Sequence, residues 1–372
     1  MSRKNWLFAA VVAVPLATLG MAALPSSGGS TINLAAASQA SHHHHHWRSG
    51  SPSPSASDSG SASASPSDSP TGTGSASPSP SPTATGPTPD EFVDIRQVQP
   101  NASAPASGAQ ASRGSFVAHC GRNTNGHRNP DNFIVTPGVS NGAHHTHDYV
   151  GNLSTDGFST DQSLLAAGTT CQAGDKSAYF WPVLRVTAAA GAAGQDGNSG
   201  TILTPTTVTL RFRGNPQSKV VAMPQFLRIV TGDAKAATNG PTNARAQWTC
   251  TGFTNRVTKD KYPVCPRGSR VERILDFPSC WDGANIDSAN HRTHVLFPDA
   301  ATGTCPANTK AIPQLHEVLT YSVSAAQARS IALDTFPEQL HNPVTDHADF
   351  ENVMAAATMT RAVTCINSGR SC

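Results

Sequence analysis

The sequence predicts a mainly β domain, either a two-sheet sandwich or a jelly-roll-like fold, with few short helices and with disulfide staples. Several segments rich in β-branched or aromatic residues are bounded by Gly, Pro, Asn or Asp, as strands are. Residues 206–213 alternate polar and apolar side chains, which indicates a sheet with one buried face. Such a sheet needs a second layer, and a second sheet is the simplest one.

Residues 1–40 are predicted to be a signal peptide or a signal anchor. Arg3 and Lys4 precede an apolar stretch at residues 6–24, which is the order of charged and apolar residues in secretory signals. The stretch is also just long enough to span a bilayer, so an uncleaved anchor is the alternative to cleavage. Contact with a membrane is expected only through such an anchor.

Residues 41–112 are predicted to be a disordered linker that includes a histidine tract. The tract, His42 to His46, either chelates a transition metal weakly or is a low-complexity or cloning remnant. Residues 49–89 are nearly all Ser, Pro, Ala, Gly and Thr, so too few apolar side chains are present to offset the entropy of ordering. The linker would act as a spacer, and residues 91–98 either add one edge strand or stay loose.

Residues 113–372 are predicted to be one β-rich domain. Strands are expected at residues 179–186, 206–213, 226–231, 294–297 and 312–323. A helix is expected at residues 351–361, with Asp349 capping its start. A domain of this length can bury a sufficient core alone, so we expect a monomer.

All eight cysteines lie in this domain, and their even number fits four disulfides. We predict pairs between Cys365 and Cys372 and between Cys120 and Cys171. No Cys-x-x-Cys pair is present, which argues against a zinc site made of thiolates. Because disulfides persist in oxidising compartments, the protein is expected to be secreted or to be associated with the cell surface or cell wall.

Charge and motifs exclude several classes of function. The chain has 26 Lys and Arg residues against 24 Asp and Glu residues and no basic block, so nucleic acid is not an expected partner. It also lacks a Gly-x-Ser-x-Gly elbow, a phosphate-binding Gly loop and a His-Glu-x-x-His helix. Serine esterase, nucleotide-binding and zincin functions are therefore disfavoured.

Histidines occur in three groups that are remote from one another in sequence. The groups are His144-His145-x-His147, His291-x-x-His294 and His347-x-Asp349. Residues two apart on a strand point to the same face, so His145 and His147 can offer two imidazoles to one ion, with His294 as a third ligand. Zinc, copper or manganese would accept these donors. The alternative is that these histidines form hydrogen bonds that fix turns.

Carboxylates and aromatic residues offer further candidates. Asp148, Asp282 and Asp287 can act as acid or base in glycoside hydrolysis, although Asp282 before a glycine also fits a turn. The aromatic residues that could stack on sugar rings, or instead divide between core and surface, are Tyr149, Tyr179, Trp181 and Trp281.

The motifs resemble those of a secreted bacterial and fungal family catalogued as domain of unknown function nineteen ninety-six. The resemblance covers about residues 115–355, and its most specific block is Phe-Pro-x-Cys-Trp-Asp-Gly-x-Asn-x-Asp-Ser at residues 277–288. This chain departs from the family by an extra His144 and by a short tail that ends in cysteines. The resemblance implies secretion and a histidine constellation but no mechanism, and the positions that match its motif are His145, His147, His291, His294, His347 and Asp349.

These observations lead to three hypotheses. The first is an exported enzyme that cleaves an extracellular polysaccharide by hydrolysis or elimination. Its predicted catalytic residues are His145, His147, His291, His294, His347, Asp349 and Asp282. The second is a non-catalytic module that binds the cell wall or a glycan. The third is a metal-capturing extracellular protein to which the histidine tract delivers ions.

Overall fold

The computed structural model describes residues 86–187 and 196–372. The predicted signal segment, the histidine tract and the linker up to residue 85 lie outside the described residues. Within the two described ranges, no helix is long and apolar enough to cross a membrane.

The described chain is mainly β. Its strands are β1 (Phe92–Asp94), β2 (Ser115–Ala118), β3 (Arg128–Asn129), β4 (His147–Gly151), β5 (Ala178–Pro182), β6 (Leu184–Val186), β7 (Thr201–Leu203), β8 (Thr207–Arg213), β9 (Arg228–Gly232), β10 (Gln247–Cys250), β11 (Tyr262–Val264), β12 (Val271–Asp276), β13 (Cys280–Trp281), β14 (Val295–Leu296), β15 (Lys310–Ala311), β16 (Gln314–Tyr321), β17 (Ile331–Leu333) and β18 (His347–Glu351). Its α-helices are α1 (Asp161–Ala166), α2 (Ala236–Asn239) and α3 (Ala356–Asn367).

Two five-stranded antiparallel sheets dominate the architecture. The strand order is β10-β12-β16-β8-β2 in the first sheet and β3-β4-β5-β18-β9 in the second. Inward side chains of both sheets share one apolar core, in which the rings of Phe212 and Phe350 lie 5.9 Å apart. The predicted mainly β fold is confirmed. Each predicted strand is present within a few residues of its expected position.

The second sheet is covered on its other face as well. Phe133 and Ile134, from the loop that follows β3, pack there with Tyr149 and Phe180 in a smaller core. Since side chains alternate along a strand, His147 shares this outer face with Tyr149. The outer face of the second sheet therefore carries His147.

Four disulfides join Cys120 to Cys171, Cys250 to Cys265, Cys280 to Cys305 and Cys365 to Cys372. Both predicted pairs are confirmed, and the described residues contain no free cysteine. Because disulfides persist in oxidising compartments, four of them indicate an extracellular protein.

The helix predicted at residues 351–361 begins later, at Ala356. Glu351 is instead the last residue of β18, which pairs with β5 on one side and with β9 on the other. Strand pairing overrides the local helical propensity here, and Asp349 lies within the strand rather than at a helix start.

The N-terminal segment of the domain is longer than the composition suggests. Residues 92–94 form β1, parallel to β11, and the ring of Phe92 lies 5.3 Å from that of Tyr262. Asn101 exchanges side-chain hydrogen bonds with the backbone of Val257. Hydrogen bonds from the backbone and from an amide side chain thus order this segment. Its few apolar side chains gave no sequence signal of that order.

Charged side chains are buried between the two sheets. The guanidinium of Arg273 donates to both oxygens of Asp346, to the carbonyl of Pro182 and to the hydroxyl of Tyr321. Glu317 on β16 is completely buried, and neither of its carboxyl oxygens has a hydrogen-bond partner in the described residues. Burial raises the pKa of Glu317 well above its ordinary value.

We predict that Glu317→Gln removes a loss of stability that the wild type shows as pH rises above the pKa of an unfolded glutamate. The native state keeps the proton of Glu317 to a higher pH than the unfolded chain does, so the free energy of unfolding falls as pH rises above the unfolded pKa. The fall is at most about 1.4 kcal/mol per pH unit. Urea unfolding of the full chain from about pH 5 to about pH 8 should show the free energy of unfolding of the variant increasing relative to that of the wild type.

Glu338→Gln at an exposed position is the matched control, and its stability should follow that of the wild type. Parallel curves for Glu317→Gln and the wild type over this pH range would show that Glu317 is ionised in the native state.

Candidate metal centre

Three histidines meet on the outer face of the second sheet. His147 is the first residue of β4 and lies opposite Pro182 of β5. His347 begins β18 on the other side of β5, in register with Gly232 of β9. The strands that carry the two histidines are about 9.5 Å apart, so their side chains lean toward each other above Pro182. His145 reaches the same point from the loop before β4. We call these three residues the His triad.

The ring nitrogens of the His triad are spaced as ligands of one ion. The Nε2 atom of His145 lies 3.1 Å from that of His147 and 3.2 Å from that of His347, and the third side of the triangle is 3.5 Å. Nitrogen ligands at zinc–nitrogen distances around a tetrahedral ion stand about 3.3–3.4 Å apart. The three nitrogens therefore need almost no rearrangement to bind a transition metal.

Backbone carbonyls set the orientation of two of the rings. His147 donates from Nδ1 to the carbonyl of Asp131 at 3.0 Å, and His347 donates from Nδ1 to the carbonyl of Thr345 at 2.9 Å. A hydrogen on Nδ1 leaves the lone pair of a neutral imidazole on Nε2, which faces the centre of the triad. The Nδ1 of His145 is buried without a hydrogen-bond partner in the described residues.

Burial keeps the triad neutral. Loss of hydration lowers the pKa of His145 well below its ordinary value, and the neighbouring His147 and His347 add to this effect. Burial and the neighbouring His347 lower the pKa of His147 to about 3, and burial also lowers the pKa of His347. Neutral imidazole is the form that binds a metal ion, so the unprotonated triad is ready for one.

An open cavity of about 390 Å³ adjoins the triad, and His145 and His347 form part of its wall. We call it the triad cavity. Three protein ligands beside open space is the arrangement of catalytic zinc sites, whereas structural sites use four protein ligands. The triad therefore has room for a water molecule or a substrate atom as a further ligand.

Asp349 lies two residues after His347 on the same face of β18 and lines the triad cavity. Its Oδ2 accepts a hydrogen bond of 3.3 Å from Asn132. Asn132 belongs to the loop between β3 and β4, residues 130–146, which we call the covering loop. Burial raises the pKa of Asp349 to about 7, against the opposing effects of Asn132 and Arg292. The structure thus places Asp349 beside the triad.

Cationic and aromatic side chains complete the wall. Arg292 donates to the carbonyl of Gly232 at 2.8 Å, and Lys235 lies 4.7 Å from the centre of the Phe336 ring. That ring meets His145 edge-on, at 5.3 Å between ring centres. The cavity therefore has an apolar side and two positive charges.

The other predicted histidines lie elsewhere. His291 bonds to Asp287 through Nδ1 at 2.9 Å. His294 uses both ring nitrogens, one with Ser288 and one with the carbonyl of Arg228. Arg228 is at the opposite end of β9 from Gly232, which is roughly 13 Å along the strand. The structure therefore brings His145 and His147 together with His347 and places His294 outside the triad.

Two more candidates have local roles. Asp282 accepts hydrogen bonds from the backbone of Ala284 and Asn285, which is the turn role that its sequence context also fits. His144, the extra histidine, is exposed and lies 3.5 Å from Asp196 rather than in the triad. The proposed sugar platform is not available from Tyr149, Tyr179 and Trp181, because all three are buried.

Sequence reasoning missed several residues of the site. Arg292 had a faint signal, since it stands between His291 and His294. The remaining missed groups carry no sequence pattern that marks a site: Asn132, Lys235, Phe336 and the carbonyls of Asp131 and Thr345.

Gly232 is a structural requirement of the triad. It lies opposite His347 with a positive φ of 75°. A Cβ at this position would collide with the carbonyl oxygen of Asp346 and would lie 2.6 Å from the Cα of His347. Any side chain here must displace the backbone that carries His347.

We predict that Gly232→Ala weakens metal binding by about tenfold and lowers the free energy of unfolding by about 3 kcal/mol, because the collision adds to the backbone strain. Gly268→Ala is the matched control, since Gly268 has a φ of 90° and open space where a Cβ would lie. The control should lose only about 1–2 kcal/mol and should keep full metal affinity. Equal metal affinity in the two variants would contradict the account.

Comparison with known protein families places the whole His triad within one family domain. The model of the family described as Domain of unknown function (DUF1996) matches residues 132–353, which is more than half of the chain and includes the whole His triad. No curated protein and no solved structure matches the chain. The resemblance noted in the motifs is confirmed, and the chain belongs to the DUF1996 family.

Proposed function

We propose that this protein is a secreted or cell-surface enzyme that uses a transition metal to hydrolyse or eliminate a glycosidic bond in an extracellular polysaccharide. One observation carries the proposal. Three buried and neutral imidazoles converge through their Nε2 atoms at the wall of an open cavity. The Nδ1 atoms of His147 and His347 bind loop carbonyls, whereas the convergence of the three Nε2 atoms suits an ion.

The chemistry of the donors suits a borderline metal. The triad offers three nitrogen atoms, and zinc or copper accept such sets readily, while manganese would need added oxygen ligands. When bound, the ion would supply a Lewis acid and would lower the pKa of a bound water molecule. A cavity of about 390 Å³ lies within the range of small-molecule sites.

The protein's own side chains can bind and orient a substrate. Arg292 and Lys235 supply positive charge for an acidic group, and Asn132 supplies an amide donor. Phe336 shields one side of the cavity from water, which strengthens these interactions. The four disulfides support an extracellular location, where polysaccharides are the abundant polymers.

The experiment uses the full chain with His42 to His46 replaced by serine, so that metal measured by elemental analysis reports on the domain. Metal-free protein is reloaded with one equivalent of zinc, copper or manganese and incubated with a panel of extracellular polysaccharides. We expect new reducing ends or unsaturated products with one metal, and about a thousandfold less product from His147→Ala.

His119→Ala is the matched control, because His119 is exposed and outside the site. Its metal content and turnover should equal those of the parent. Thermal unfolding of His147→Ala checks that the variant is folded. A triad variant that lacks metal but keeps full turnover on every cleaved polysaccharide would contradict the proposal.

Metal capture is the second candidate function, because the same three nitrogens would hold an ion without any reaction. The panel separates the two functions. A protein that binds metal at the triad but yields no product favours capture. Retention on a glycan without metal and without products favours a non-catalytic binding module.

A further inference from the structure

A second and larger cleft lies on the outer face of the first sheet. Arg211 and Arg213 on β8 point there, since Leu210 and Phe212 between them face the core. The cleft has a volume of about 1030 Å³. We call it the basic cleft and define it by its five cations, which are Arg113, Arg211, Arg213, Arg245 and Lys259.

Both carboxylates that line the basic cleft already have hydrogen-bond or ion-pair partners. Its two carboxylates belong to Asp276 and Asp299. Asp276 bonds to Arg213 and, at 2.7 Å, to His316. Asp299 accepts hydrogen bonds from the backbone and hydroxyl of Thr302. Five cations face two occupied carboxylates in a chain whose formal net charge is only +2, so the cleft is a local concentration of positive charge.

Several of the cations are free to bind a ligand. Arg211 and Lys259 are exposed and make no ion pair with the described residues. Within residues 86–187 and 196–372, the side chain of Arg113 donates only to the carbonyl of Gly108. Cations held near one another without partners repel, and a polyanion relieves this repulsion while it releases its own counterions.

We propose that the basic cleft binds a linear polyanionic polysaccharide, whose charge is carried by carboxylates or phosphodiesters. The inference rests on the proposed function and names its substrate class. Phe297 is the one aromatic residue among those that line the cleft, and Arg245 covers its ring at 5.0 Å. Stacking of nucleic acid bases therefore has no platform, whereas acidic groups on a glycan need only the cations.

The cleft continues toward the triad cavity. Arg245 and Lys259 also line a depression of about 510 Å³ that reaches Ala236 and Ala237 of α2. Lys235, just before α2, and Asn239, at its end, line the triad cavity. The short helix α2 thus lies between the depression at the end of the basic cleft and the triad cavity. A polysaccharide held in the basic cleft can extend across this helix.

The test measures binding by the full chain in its metal-free form, which separates it from turnover. The probes are polygalacturonate for carboxylates, a poly(glycerol phosphate) teichoic acid for phosphodiesters, and dextran as a neutral polymer. The cleft variant combines Arg211→Glu with Lys259→Glu, and the control combines Arg267→Glu with Arg270→Glu at two exposed positions outside the cleft.

We expect one or both anionic polymers to bind, dextran not to bind, and the cleft variant to lose affinity by about tenfold or more, with a shallower dependence of log affinity on log salt by about two. The control and His147→Ala should bind as the parent does. Equal losses in the cleft and control variants, binding of dextran, binding of neither anionic polymer, or equally tight binding of duplex DNA would overturn the proposal. Anionic binding without cleavage would overturn only the proposed function.

Discussion

The pairing of β5 with β4 on one side and with β18 on the other is the constraint on which the site depends. This ladder fixes the register in which His147 and His347 flank Pro182. A slip of one residue in either pairing would turn one histidine into the apolar core. The packing of the two sheets around Phe350 and Trp181 therefore also specifies the geometry of the His triad.

The covering loop and β9 also help to fix the positions of the His triad. Carbonyls of Asp131 and Thr345 hold two imidazoles in the tautomer that exposes Nε2, and Gly232 permits the close approach of the backbone at His347. The Nε2 lone pairs of His147 and His347 face each other at 3.5 Å in a site of low polarity, which is unfavourable. A bound cation would remove this cost, so the domain is expected to be more stable with metal than without it.

Much of the fold was predictable because its signals are local. Alternating side chains marked β8, and cysteine spacing marked the pair Cys365 and Cys372. The pair His145 and His147 was also predictable from spacing. The choice of His347 over His294 as the third ligand was not, because it depends on which strands lie beside β5. The same dependence on tertiary pairing explains why residues 351–355 are not helical.

In the function that we propose, the two sites divide recognition from chemistry. The basic cleft beside the first sheet would hold an acidic polymer, and the His triad on the second sheet would act on it. The most direct test of the account is X-ray absorption spectroscopy on the full chain, with His42 to His46 replaced by serine and one equivalent of zinc added. We predict three imidazole nitrogens at about 2.0–2.1 Å from the zinc, and the loss of this environment in His147→Ala. A zinc environment with fewer imidazoles, or one that is unchanged in His147→Ala, would contradict it.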